Sequence, residues 1–156
     1  MSHNKELANF KNRLQGKVSI VGIGNRLRGD DGAGPELIKK LKNLLRCLFL
    51  FDVGEVPENY LEKIAREKPN TIVLIDAVEL GASPGTIEII ESDDIKDESL
   101  STHKVSLKLV ANYLRKRTSA DVFLLGIQPQ NTEFGGEISE SVRKALEKVV
   151  RALEIS

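Results

Sequence analysis

Tryptophan is absent from this chain of 156 residues, methionine and cysteine each occur once, and histidine occurs twice. A lone cysteine cannot close an internal disulfide, which excludes a disulfide-stapled scaffold and fits a reducing cytoplasm. No charge sign is in excess: Lys plus Arg and Asp plus Glu both number 23, so no global field gathers nucleic acid. No apolar run approaches the ~20 residues of a membrane span. The segment 1–16 carries charges but lacks the apolar core of a signal peptide. The serine with G-x-S-x-G spacing, Ser83 in Gly81-Ala82-Ser83-Pro84-Gly85, sits in a turn that leads into a strand, so it is not at a strand-to-helix nucleophile elbow. Internal repeats and low-complexity segments are also missing. What remains is a cytoplasmic globular chain with a Lys- and Glu-rich surface, long enough for one domain with a sizeable core.

Residues 17–156 read as that single domain, and residues 1–16 as a short added helix or a frayed arm. Short apolar runs predict buried strands at about Val18–Ile23, Leu48–Val53, Thr71–Ile75 and Asp121–Ile127. Helical periodicity predicts helices at about Pro35–Cys47, Pro57–Glu67, Ser101–Arg117 and Glu137–Leu153. Thr86–Ile90 is too close to the third strand for a crossover helix and predicts an antiparallel edge strand. Strands alternating with helices imply a three-layer α/β fold. Its sheet is five-stranded, twisted and mostly parallel, with helices on both faces.

The chain is organised around Gly22-Ile23-Gly24-Asn25-Arg26-Leu27-Arg28-Gly29-Asp30-Asp31-Gly32-Ala33-Gly34-Pro35. A strand ends there, glycines let the backbone turn, and two adjacent acids precede a helix. Asp76 ends the third strand, and His103 opens the helix before the last one. Ligands in such sheets bind at the carboxyl ends of the strands, so these loops converge. Two carboxylates and an imidazole suit a divalent first-row metal. A helix N-terminus keeps His103 neutral and able to ligate. Each residue also has a plainer reading. Asp76 is as ordinary a turn residue as a ligand, and Asp30 and Asp31 can be solvated charges favouring the helix N-terminus. Thr102 is a better cap than His103. Cys47 reads as a packed thiol, and His3 lies in the arm.

Two other sites compete. Gly22-x-Gly24 after a strand, with Asp52 ending the next, suggests dinucleotide binding. Leu27 replaces the third glycine, however, and about ten residues separate the turn from the helix. A receiver-like phosphoacceptor would place its acids at the strand end and a Lys at the last strand, where Gly126-Ile127-Gln128 stands.

Gly22-Ile23-Gly24-Asn25 followed by Gly29-Asp30-Asp31-Gly32-Ala33-Gly34 resembles the opening motif of the nickel–iron hydrogenase maturation endopeptidases. Ile75-Asp76-Ala77 with Pro84-Gly85-Thr86 is similar to their second motif, and Ser101-Thr102-His103 to their histidine motif. Gly126-Ile127-Gln128-Pro129 resembles a segment of the branch serving formate-hydrogenlyase-type hydrogenases. The resemblance spans about Lys17–Leu153 and implies removal of a C-terminal extension from a hydrogenase large-subunit precursor once nickel is installed. It carries the metal-contacting roles to Asp31, Asp76 and His103. Asp31 is chosen over Asp30 because the family has Asp or Glu at the second acid. Nickel is implied to arrive with the precursor, and no nucleophile is implied. A non-enzymatic module that checks the precursor for nickel is the contrasting expectation. A protease holding a folded partner also needs a surface, expected at the Arg26–Arg28 and Gln128–Gly136 loops.

Overall fold

Five hydrophobic strands set the architecture: β1 (Val18–Ile23), β2 (Phe49–Gly54), β3 (Thr71–Ala77), β4 (Ile87–Glu91) and β5 (Asp121–Ile127). The computed structural model describes residues 2–44, 48–96 and 105–154. The sheet order is β2-β1-β3-β5-β4. β1 pairs in parallel with β2 and β3, β3 in parallel with β5, and β4 antiparallel with β5, as the short β3–β4 connection predicts. The chain leaves β1 for β2 on one side and reaches β3 on the other. The carboxyl ends of β1 and β3 therefore form the switch-point crevice of an open α/β sheet.

Alternation along the strands feeds two cores. Val18, Ile20, Val73, Ile75, Phe123 and Leu125 face helices α1 (Ser2–Arg13), α2 (Ala33–Leu41) and α5 (Glu140–Glu154). Val21, Ile23, Ile72, Leu74, Val122 and Leu124 face α3 (Leu61–Arg66) and α4 (Leu107–Thr118). Three layers result because each helix has one apolar stripe to bury, and the sheet offers two faces.

Helix α1 contributes Phe10 to the first core, Leu14 just past its end joins it, and Phe10 meets Phe123 edge-on at 6.2 Å between ring centroids. Glu6 Oε1 accepts the Ile89 N–H at 3.1 Å, which occupies a donor of edge strand β4. Arg13 lies over the Phe123 ring at 4.3 Å and binds Asp121 at 2.7 Å and Glu91 at 2.6 Å. These hydrogen bonds, Asp121's foremost, push the guanidinium still further above its ordinary range. A lysine keeps the charge but loses the fork and the stacking plane. Arg13→Lys is expected to cost about 1 kcal/mol, read as a lower urea midpoint with an unchanged slope.

Several boundaries differ from the periodicity. Helix α2 starts at Ala33, so Pro35 is the third helical residue, where no intrahelical N–H is yet needed. It stops at Leu41 because Leu44 N–H closes onto the Leu41 carbonyl in a tighter turn. Helix α4 starts at Leu107, not at Ser101, because the Ser106 hydroxyl caps the N–H groups of Lys108 and Leu109. Cys47 and the Ser101-Thr102-His103 motif lie outside the described residues.

Candidate functional site

The organising motif is a packing device. The segment Gly29–Gly32 forms a 3-10 turn that leads directly into α2. A Cβ on Gly34 would stand 2.5 Å from Ile23 N and 2.7 Å from the Ile75 carbonyl oxygen. One on Gly24, whose φ is +142°, would stand 1.8 Å from the Asp31 carbonyl oxygen. Only hydrogen fits at either position. The turn carrying both acids is thereby laid across the ends of β1 and β3.

Asp30 and Asp31 are fully buried, not solvated charges at a helix start. Their roles separate. The Asp30 carboxylate accepts from Gln130 N–H at 2.8 Å, Asn131 N–H at 3.2 Å, Ser139 N–H at 2.7 Å and the Ser139 hydroxyl at 2.9 Å. Asp30 N–H in turn donates to the Asn131 carbonyl at 2.8 Å. Asp30 is thus the tie between the glycine turn and the Gln128–Gly136 loop. Asp31 points elsewhere: its Oδ2 accepts the Asn25 N–H at 2.9 Å.

Asp76 is buried too, and it belongs to β3 in register with Gly126, not to the loop beyond the strand. By alternation it follows Ile72 and Leu74 onto the α3–α4 face. Its Oδ1 accepts the next N–H, that of Ala77, at 2.9 Å. The turn bearing Asp31 packs against β3, so two buried carboxylates come from adjoining elements at the switch point. His103 lies outside the described residues, and among those described no three His, Cys, Asp or Glu side chains form a metal cluster.

Gln128 has a role that its spacing did not reveal. It is buried, and its Oε1 accepts from Leu80 N–H at 2.6 Å and Ala82 N–H at 3.4 Å. It fixes the loop that leaves Asp76. The sequence marked it as part of Gly126-Ile127-Gln128-Pro129 and as an amide where a receiver needs a cation, but neither signal named its backbone targets. Beside that loop a cleft of about 450 Å³ opens between Val78–Leu80, β4 and the start of α4, floored by Ile90, Leu107 and Leu124.

The rival sites lose their key groups. Asp52, the candidate ribose acid, is held by Arg26 at 2.7 Å. Gln128 spends its side chain on backbone N–H groups. Arg26, one of the loop residues expected at a docking surface, makes the ion pair with Asp52 while its side chain stays 52% exposed. No helix among the described residues is long and apolar enough to cross a membrane.

The family model for hydrogenase maturation proteases matches residues 35–155. The hydrogenase 3 maturation protease of Escherichia coli is 34% identical over 137 residues, covering 86% of this chain and 87% of that protein. The crystal structure of a NiFe hydrogenase maturation protease from Thermococcus kodakarensis superposes with a TM-score of 0.84 at 34% identity, covering 94% of this chain and 96% of that one. The solution structure of an Escherichia coli endopeptidase gives 0.79 at 32% identity, with 89% and 90% covered. With this motif, these strand ends and these relatives, the chain belongs to the hydrogenase maturation protease family.

Proposed function

We propose that this protein is the endopeptidase that removes the C-terminal extension of a nickel–iron hydrogenase large-subunit precursor after nickel insertion. In this reading nickel arrives in the substrate, and Asp31, Asp76 and His103 contact it. The observation that carries the proposal is the pair of buried carboxylates, Asp31 and Asp76, on adjoining elements at the switch-point crevice. Two buried carboxylates on adjoining elements concentrate negative charge, which favours a divalent ion there. Oxygen and imidazole donors suit nickel, whose softer alternative partners, thiolates, are scarce in a chain with one cysteine.

Asn25 orients Asp31 through its N–H, and the Ala77 N–H orients Asp76. Each carboxylate thereby keeps its bearing before the precursor arrives. A divalent ion held there acts as a Lewis acid toward a carbonyl or a water. The cleft beside the Val78–Leu80 loop, which follows the strand that carries Asp76, gives an extended peptide an apolar floor.

The test is mass spectrometry of nickel-loaded and nickel-free precursor after incubation with this protein. Loss of a C-terminal peptide from the nickel-loaded form alone is the expected result. A stable complex with no shortening would replace the enzyme by a nickel-checking module. Equal trimming of both forms would leave a protease and remove nickel from the site.

A further inference from the structure

Sequence spacing places two arginines beside the acidic turn, but the structure presents an apolar residue between them. Arg26 turns to Asp52, and Leu27 stands 61% exposed. Phe134, on the loop that Asp30 ties down, is 75% exposed. The two loops are joined by a hydrogen bond from Gly135 N–H to the Leu27 carbonyl at 2.7 Å. Leu27 N–H donates to Asn25 Oδ1 at 2.8 Å, Glu133 N–H to Asn131 Oδ1 at 2.8 Å, and Gly136 N–H to the Glu133 carbonyl at 3.0 Å. These bonds hold both loop backbones in place, so the two exposed residues keep their positions beside one another. Two large apolar side chains exposed on neighbouring loops mark a contact surface, unlike single scattered ones.

Its position is specific. Asn25, which supports Leu27 through its side chain, supports the Asp31 carboxylate through its N–H. Asp30 holds the loop of Phe134. Whatever seats on Leu27 and Phe134 therefore abuts the crevice. Leu27 lies between Arg26 and Arg28, whereas the charged residues nearest Phe134 in the chain, Glu133 and Glu137, are acidic and exposed. On the Phe134 side, complementarity then asks for an apolar side chain with a basic neighbour.

We infer that Leu27 and Phe134 form the docking platform for the folded precursor, receiving an apolar residue flanked by a basic one on the precursor's surface. The inference rests on the proteolytic reading and adds the residues that position the substrate. Because the platform touches the substrate away from the scissile bond, it governs KM more than kcat.

The experiment measures initial rates of C-terminal trimming against concentration of nickel-loaded precursor. Leu27→Ser and Phe134→Ser introduce no charge near Asp31, and their exposure leaves the melting temperature unchanged. Each is expected to raise KM at least about tenfold with kcat nearly constant, as expected for an aromatic or apolar anchor at an interface centre. Phe134→Leu should restore most of the loss. Leu109→Ser, at a 63% exposed residue on α4, is the control and should behave as wild type. The double reversal Glu133→Lys, Glu137→Lys should also raise KM. A wild-type KM in the serine variants overturns the platform, as does a loss confined to kcat. An unchanged or lower KM in the double reversal overturns the basic neighbour. Failure of wild-type protein to trim the precursor would instead overturn the proteolytic reading.

Discussion

Asp30→Ala is expected to lower the unfolding free energy by on the order of 4 kcal/mol, more than any substitution of an exposed charge in this chain. The carboxylate accepts three backbone N–H groups and one hydroxyl, from Gln130, Asn131 and Ser139. Hydrogen bonds to a charged acceptor contribute about 1.5–3 kcal/mol each when taken singly. They are not additive here, because they share one carboxylate and one loop. Removal leaves those donors without their acceptor and loosens the 130–139 segment, which then keeps the backbone bonds from Asp30 N–H to the Asn131 carbonyl and from Gly135 N–H to the Leu27 carbonyl. Ser139 also serves the start of α5, since Val142 N–H reaches its hydroxyl at 3.4 Å and Arg143 N–H its carbonyl at 2.9 Å. The loss should therefore extend to the N-terminus of that helix. Asp30→Asn should fall between alanine and wild type. Its amide oxygen can take the place of Oδ2, but its NH₂ then faces the Ser139 N–H. Urea unfolding provides the number, and amide exchange provides the location. Protection should fall at Gln130, Asn131 and Ser139 well before it falls in β1. A variant within about 1 kcal/mol of wild type would show that the tie is not structural.

The contrast between neighbouring acids explains which parts of the site were legible in sequence. Hydrophobic periods gave the strands and the antiparallel β4 because alternation and loop length are local properties. They placed Asp31 and Asp76 at one edge because topology follows from element order. They could not separate Asp30 from Asp31 by composition, since both are aspartates in one turn. The distinction lies in which way each carboxylate points, and that depends on a loop 100 residues away, joined at Gln130. The Arg26 ion pair was not legible for the same reason: its partner, Asp52, lies on a different strand. Gln128 looked like an absent lysine because its targets are backbone N–H groups, which no side-chain pattern announces. The late start of α4 was readable in principle, since Ser106 is a good cap, but Ser101 and Thr102 offered the same signal earlier. The glycines of the opening motif mark approach of one backbone to another, and their number reflects how closely α2 sits on β1 and β3.

Asp76→Asn should reduce trimming of nickel-loaded precursor by at least about 100-fold while leaving the protein folded. The amide has the carboxylate's shape, and its oxygen can keep the bond from Ala77 N–H. What is lost is the charge. The stability should change by less than about 1 kcal/mol, and an increase is as consistent as a decrease, because a buried carboxylate is costly to desolvate. In the proposed reading, the precursor's nickel would add to the stabilisation of the Asp76 charge. Nickel-loaded precursor should accordingly raise the melting temperature of the wild type more than that of Asp76→Asn. The two measurements separate ligation from packing. Loss of trimming with an unchanged fold and a weakened thermal response places Asp76 on the metal. Loss of trimming together with several kcal/mol of stability makes it a structural residue of β3. Trimming at the wild-type rate removes it from the site and leaves Asp31 without its partner across the switch point.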